Sequence, residues 1–337
     1  MDQNVNTPGQ FDPPLLIDNF SRPITYLRVS VTDRCNLRCT YCMPAVGIQL
    51  LQKKEILSWE ELLRLITIFA QLGIKKLRIT GGEPFVRQGI LDFLRQARQI
   101  RGIESLFVTT NGIEISQYIP ELKKVGITGI NLSLDTLDRQ RFADITRRDS
   151  LDKVLAAFNL ILKHEIPLKI NMVVKSGLNV EDIIALSHLA ENHPIDVRFI
   201  EEMPFNGEGQ NQNFFDAEKI EQLLRICYPS MQLLPQDGST AKMLEIPGFA
   251  GRLGIIAGYS RHFCSTCNRI RIKANGKLKT CLYDGSVLDF KQLIRSGATD
   301  DDIRKKILKA ISRKPKDGFE AFAASKDSLE SMASIGG

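Results

Sequence analysis

Six strand-like runs alternate with amphipathic helical stretches in the first two thirds of the chain. The strands are predicted at residues 25–31, 75–80, 105–110, 129–134, 167–174 and 196–202. Between the first two strands, a capping box at Ser58 opens a helix and Gly73 ends it, and later helices have candidate N-caps at Asp149, Ser150 and Asn179. Repeated β-then-α units predict a parallel α/β sheet curled into an incomplete (β/α)6 TIM-like barrel, with function at the carboxyl ends of its strands.

The pattern changes after residue 203, where the polar run MPFNGEGQNQN precedes one more helix that starts at Asp216. Residues 230–295 contain short β-like pieces, and a basic helix and a Gly-Gly end follow them. We therefore expect a flexible extension at 1–19, a barrel at 20–229 and an α+β region at 230–337.

Three cysteines lie within eight residues in the run CNLRCTYC, at Cys35, Cys39 and Cys42. A C-x₃-C-x₂-C loop can bind three corners of a cubane iron–sulfur cluster and leave the fourth iron open to chelate a small molecule. The alternative is a zinc knot, although zinc usually takes four protein ligands.

Cys264, Cys267 and Cys281 form a second triplet with the spacing C-x₂-C-x₁₃-C. A second cluster with an open iron would suit this triplet. With His262 two residues upstream, a Cys₃His zinc site is the competing interpretation.

The run Gly81-Gly82-Glu83-Pro84 directly follows the second predicted strand. Two glycines allow a ligand to approach the backbone, and a carboxylate can hold an ammonium group. A tight strand-to-helix turn would use the same residues. Beside the cysteine triplet, we interpret the run as a site for the amino-acid end of a cofactor.

Arginines accompany these elements, with Arg28 and Arg78 on the first two strands and Arg269 and Arg271 just after the second cysteine pair. Guanidinium groups match phosphates and purine edges, so the set predicts a site for a polyanion, which Lys169 could join. The net charge of +6 is compatible with a small anionic substrate or with nucleic acid.

The seven cysteines favour metal binding in a reducing compartment over a disulfide framework. Cys227, alone in a helical pattern, is expected to be a packed thiol. The sequence shows neither a membrane-spanning run nor a secretory or transit signal, so the expected location is the cytoplasm.

Together, the runs TYLRVSVTDRCNLRCTYCMP, LRITGGEP, VTTNG, NLSLD, FCSTCNRIRIKANGKLKTCL and the terminal Gly-Gly resemble the GTP 3′,8-cyclase family of radical S-adenosylmethionine enzymes. The resemblance implies a lyase of molybdenum cofactor biosynthesis. Its 5′-deoxyadenosyl radical would remove the C3′ hydrogen of GTP, and C3′ would then attack C8 to give (8S)-3′,8-cyclo-7,8-dihydroguanosine 5′-triphosphate.

The resemblance also implies site residues and partners. The two triplets would hold two [4Fe–4S] clusters, and the tail glycines Gly336 and Gly337 would enter the active site. Contacts to S-adenosylmethionine are implied for Tyr41, Gly82, Ser133 and Met203, and contacts to GTP for Arg28, Arg78, Thr109 or Thr110, Lys169, Arg269, Ile270 and Arg271. The implied partners are an electron donor and the next enzyme of the pathway, and a homodimer is a possible assembly.

Two other functions compete with this interpretation. A radical peptide maturase with auxiliary clusters would usually have more cysteines in its C-terminal half. A basic zinc-binding nucleic-acid protein would need a charge-dense face or exposed aromatic residues, but aromatic content is only 7%.

Overall fold

The structure is a computed structural model that describes residues 15–203, 205, 214–235, 239–260, 263–325 and 330–336. Six consecutive strands pair in parallel and in chain order. They confirm the predicted parallel sheet and are β1 (Tyr26–Ser30), β2 (Lys76–Thr80), β3 (Ser105–Thr110), β4 (Gly129–Ser133), β5 (Leu168–Val174) and β6 (Asp196–Glu201).

The C-terminal region extends this sheet at both edges. Among the later strands β7 (Gln232–Leu233), β8 (Lys242–Glu245), β9 (Arg252–Ile256), β10 (Arg269–Ile272), β11 (Lys277–Lys279) and β12 (Leu288–Asp289), β9 pairs in parallel with β6 and β10 pairs in parallel with β1. The sheet order is β12-β11-β10-β1-β2-β3-β4-β5-β6-β9-β8-β7. The parallel part is therefore wider than the predicted six strands, and the second cysteine triplet lies beside the first strand.

The helices are α1 (Trp59–Gln71), α2 (Ile90–Gln99), α3 (Ile119–Val125), α4 (Arg139–Thr146), α5 (Leu151–Lys163), α6 (Asp182–Asn192), α7 (Ala217–Cys227), α8 (Phe290–Arg295), α9 (Asp300–Ile311), α10 (Gly318–Ala324) and α11 (Met332–Ile335). The capping box at Ser58 is confirmed, and Gly73 follows α1 with a φ of +98°. No helix in the described ranges is both long and apolar enough to cross a membrane.

Three smaller predictions are wrong or only partly right. Ser150 occupies the N-cap position of α5 but makes no capping hydrogen bond through its side chain. Asn179 does not cap α6, because its side-chain oxygen accepts from Lys175 N at 2.8 Å and its amide nitrogen donates to the carbonyls of Asp135 and Val173. Cys227 is exposed rather than packed, since it ends α7 beyond the buried Leu224.

Alternation along the strands separates an apolar core from a polar interior. Leu27 and Val29 are fully buried in the core, whereas Arg28 between them lines an interior cavity. The strand register aligns Arg28 with Arg78 on β2 and with Arg271 on β10. A row of three arginines therefore crosses neighbouring strands on the concave side of the sheet.

Candidate active site

One cavity of about 520 Å³ collects nearly all the residues singled out in the sequence. Both cysteine triplets line it, and the arginine row lies on its wall. The other implied contacts that line it are Tyr41, Gly82, Ser133, Met203, Thr109, Thr110, Lys169 and Arg269. Residues from the two ends of the chain thus meet in one interior space.

The loop of the first triplet is fixed by backbone hydrogen bonds. The Cys42 N–H donates to Cys39 O at 3.0 Å, and the Thr40 N–H donates to Ile145 O at the end of α4 at 2.9 Å. Burial raises the pKa of Cys42 to about 12, that of Cys39 well above its usual value, and that of Cys35 as well. Three such thiols ionise only beside a strong cation, and the iron of a cluster is one.

The glycines after β2 allow two backbone segments to approach each other. Gly82 N–H donates to Thr32 O at 2.7 Å, and a Cβ at Gly82 would lie 2.4 Å from Arg34 O. Only glycine fits this contact, which presses the run GGEP against the segment that leads into Cys35.

Glu83 differs from the expectation that its carboxylate receives an ammonium group. It is fully buried, and its two oxygens accept hydrogen bonds from Phe85 N, Thr110 Oγ1 and Asn111 N at 2.7–3.1 Å. Burial raises the pKa of Glu83 to about 7 despite these donors. Glu83 therefore braces β3 against the GGEP turn, while the backbone at Gly81 and Gly82 faces the cavity.

Tyr41 is held beside the first triplet by a hydrogen bond. Its hydroxyl donates to Asp135 Oδ2 at 2.8 Å, and Asp135 Oδ1 accepts from Val173 N at 2.8 Å. The carboxylate thus fixes the ring between the cysteine loop and β5. Asp135 lies two residues after β4, and the sequence analysis missed it although it ends the run NLSLD.

The second triplet lies where β10 begins and β11 ends. Asp284 shapes this turn, since its Oδ2 accepts from Thr280 N and Cys281 N at 2.8 Å each. The charges of Lys314 and Arg269 lower the pKa of Cys267 although burial opposes this. His262 lies outside the described residues, and within those residues no three His, Cys, Asp or Glu side chains are arranged around a single metal ion.

The arginine row surrounds a buried tyrosine. Arg78 Nε donates to Tyr26 Oη, and Lys76 and Arg269 lie over the Tyr26 ring at 4.8 and 5.5 Å from its centroid. Burial raises the pKa of Tyr26, but Arg78, Arg28 and Lys76 outweigh it and lower the value to about 7. These cations, gathered around one buried hydroxyl, make this half of the cavity strongly positive.

Arg198 and Lys76 line the cavity but were missed in the sequence. Arg198 lies opposite Asn171 in the register of β5 and β6, and no described residue bonds to its buried Nε and Nη2 atoms. Burial and the charge of Arg78 lower the pKa of Arg198 to about 10. Lys169, by contrast, is paired with Asp196 at 2.6 Å. The signal that could have revealed Lys76 is its position two residues before Arg78 on β2, and for Arg198 it is a cation between the buried apolar residues of β6.

The two threonines at the end of β3 have different partners. Thr109 Oγ1 accepts from Arg78 Nη1 at 3.3 Å, whereas Thr110 donates to Glu83. Thr109 thus shares the arginine side of the cavity. Ile270 has its side chain buried in the apolar core and does not line the cavity, so its contact with GTP stays a prediction.

The described tail residues enter the barrel. Gly336 is buried with a φ of +89°, and its carbonyl accepts from Arg271 Nη1 at 3.2 Å. A Cβ there would lie 2.6 Å from Thr80 Oγ1. Ser331 donates to Cys42 O at 2.6 Å, so the tail touches the first cysteine loop. Gly337 lies outside the described residues.

Comparison with known proteins resolves the family. Residues 29–190 match the Radical SAM superfamily and residues 195–320 match Molybdenum Cofactor Synthesis C. A GTP 3′,8-cyclase of Heliobacterium modesticaldum is 40% identical over 96% of this chain and 100% of its own length. The chain belongs to the GTP 3′,8-cyclase family. Membership implies a [4Fe–4S] cluster and S-adenosylmethionine, and it favours the cyclase interpretation over the two alternatives.

Two further relatives and one solved structure are similar to this chain. The mitochondrial GTP 3′,8-cyclase of Arabidopsis thaliana is 38% identical over 96% of this chain and 84% of its own. Molybdenum cofactor biosynthesis protein 1 of Bos taurus is 40% identical over 92% of this chain, which spans only 50% of that relative. Streptococcus suis SuiB has a TM-score of 0.62 at 14% identity over 92% of this chain and 68% of its own, a similarity of fold alone.

Proposed function

We propose that this protein is a GTP 3′,8-cyclase that converts GTP into (8S)-3′,8-cyclo-7,8-dihydroguanosine 5′-triphosphate. The observation that carries the proposal is one cavity with a cysteine triplet at each side and a row of arginines on its wall. An electron donor would deliver electrons to the first cluster, and the next enzyme of molybdenum cofactor synthesis would use the product as its substrate.

Cys35, Cys39 and Cys42 would hold the first cluster, with S-adenosylmethionine beside it. When bound, this pair supplies the reducing electron and the carbon radical of the reaction. The protein chain positions the cofactor and excludes water from the reaction. The Gly81-Gly82 backbone borders the cavity next to the triplet, and Tyr41 is locked there by Asp135.

The basic half of the cavity would bind GTP. Arg28, Arg78 and Arg271 present guanidinium groups from three neighbouring strands, and Arg198 on β6 adds N–H donors that have no partner among the described residues. Like charges this close disfavour one another, so an anionic ligand is needed to offset their repulsion. A triphosphate fits that requirement.

Cys264, Cys267 and Cys281 would hold a second [4Fe–4S] cluster on the GTP side. Support comes from their position, since Arg269 and Arg271 on β10 lie between Cys267 and Cys281 in the sequence and line the same cavity as the triplet. Residues 330–336 would close the cavity, because Ser331 touches the first cysteine loop and Gly336 contacts Arg271.

The test is an anaerobic assay of the reconstituted protein with GTP, S-adenosylmethionine and dithionite. Cys39→Ser should abolish formation of both 5′-deoxyadenosine and cyclised product, whereas Cys267→Ser should abolish only the product. Cys227→Ser is the matched control, since that thiol is exposed on α7, and it should behave like the parent. Parent-like 5′-deoxyadenosine formation by Cys39→Ser, or no product from the parent, would refute the proposal.

A further inference from the structure

Two buried cations lie behind the second cysteine triplet and do not line the cavity. Arg22 is 5% exposed and Lys314 is 2% exposed. Arg22 comes from the segment before β1, and Lys314 follows α9. Neither residue is among the cations assigned above to the GTP site.

Lys314 joins both chain segments that carry the triplet. Its ammonium donates to Arg269 O at 3.1 Å and to Thr280 O, and it lies 4.0 Å from Cys267 Sγ. Thr280 directly precedes Cys281. One side chain thus fixes the start of β10 relative to the end of β11, and with it the spacing of Cys267 and Cys281.

Arg22 fixes the third cysteine to the same place. Its Nη1 donates to Cys264 O at 2.9 Å, and its guanidinium also donates to the carbonyls of Pro315 and Lys316. These two residues directly follow Lys314. Arg22 is therefore bonded both to the triplet and to the segment that carries the lysine.

The two cations differ in how their charge is balanced. Arg22 forms an ion pair with Asp18 at 2.7 Å. Lys314 has no carboxylate within salt-bridge distance among the described residues, and its ammonium instead contacts two carbonyls and the Cys267 sulfur. A buried ammonium without an anion is costly, so a negative group on the triplet would offset its charge.

We propose that Lys314 is a positioning residue that holds the second triplet in place and stabilises, by its charge, the more negative oxidation state of the cluster bound there. Arg22 acts with it by anchoring the 314–316 segment. The inference rests on the proposed function, because it requires that the triplet hold an iron–sulfur cluster. Net charge and hydrogen bonds near the sulfurs are established determinants of cluster potential.

The experiment uses the full chain carrying Cys35→Ser, Cys39→Ser and Cys42→Ser, so that all cluster signals come from the second triplet. After anaerobic reconstitution, the midpoint potential is measured by electron paramagnetic resonance with dithionite as the reductant. Iron loss to a chelator is followed separately. Neither readout requires catalysis.

Lys314→Gln removes the charge but keeps an N–H donor for the carbonyls. We expect the reduction equilibrium to weaken about tenfold, which is about 59 mV for one electron. Iron loss should accelerate roughly tenfold, as for other residues that support metal ligands. Lys314→Arg should keep the parent potential, and Lys309→Met on the exposed face of α9 should change neither quantity.

Arg22→Lys provides an independent variant if Lys314→Gln loses its cluster. It keeps the positive charge but loses the guanidinium contacts, so iron loss should accelerate while the potential stays at the parent value. Unchanged potential and iron loss in Lys314→Gln would overturn the inference and leave the proposed function intact. Zinc in place of a cluster in the first-triplet variant would instead refute the second cluster itself.

Discussion

Arg198 gives the sharpest prediction, because its substitution should change stability and binding in opposite directions. The residue is on β6, and its Nε and Nη2 atoms have no partner in the described part of the chain. Its pKa falls from 12.5 to about 10 through burial and the charge of Arg78. At about 1.4 kcal/mol per pKa unit, the charged side chain is disfavoured by roughly 3 kcal/mol.

Arg198→Met removes this unfavourable charge and keeps an apolar chain of similar length. We expect the GTP-free protein to gain about 1–3 kcal/mol in its free energy of unfolding, since methionine can fill irregular space. Binding should respond in the other direction. Loss of one charge-assisted hydrogen bond to a phosphate costs about 1.5–3 kcal/mol, so the Kd for GTP should rise roughly 10- to 150-fold.

Two measurements on the same anaerobic preparation test this prediction. Urea denaturation without GTP gives the unfolding free energy, and equilibrium dialysis gives the Kd. The matched control is Arg95→Met, whose guanidinium is exposed on α2 in a surface ion pair. That variant should differ by less than about 0.5 kcal/mol and should bind GTP normally. A destabilised Arg198→Met that binds GTP like the parent would refute the reasoning.

Two further predictions concern the tail and the GGEP turn. Gly336→Ala should nearly abolish formation of the cyclised product and make the tail susceptible to protease, because the new Cβ would collide with Thr80. The control is Gly297→Ala, which has a similar φ but open space around it and should retain activity. A parent-like Gly336→Ala would count against the tail's role. Glu83 has a folded pKa of about 7, above its ordinary value of 4.5. Between pH 4.5 and 7, the native chain therefore keeps a proton that the unfolded chain releases. The free energy of unfolding in urea should decrease as the pH rises through this range. A parent-like slope in Glu83→Gln would contradict this.

The sequence reveals the parallel sheet and the first cysteine loop because both are local patterns. Strands of five to seven residues with helices between them define the β/α repeat, and Cys35 to Cys42 lie within one loop. Such features need no knowledge of distant contacts. The positions of the arginines on alternate strand residues likewise follow from the period of a strand.

Contacts between distant segments could not be read in the same way. The pairing of β10 with β1 joins Arg271 to Arg28 across more than 240 residues of sequence, and no local pattern encodes it. Glu83 also shows that contacts from distant segments can change the role that a local motif suggests. Its carboxylate follows a glycine pair, as a ligand-binding group would. Its oxygens nevertheless accept hydrogen bonds from three donors at the end of β3 and in the turn.

The parallel pairing of β10 with β1 also explains how one chain can place two cysteine triplets at a single cavity. The first triplet follows β1, whereas the second lies where β10 begins and its antiparallel neighbour β11 ends. In parallel neighbours these loops would lie at opposite ends of the strands, so the cavity must run along the concave face between them. The arginine row crosses that face midway, at the register of Arg28. A ligand held by those arginines would therefore lie between the two triplets, which is the arrangement that a reaction drawing on both requires.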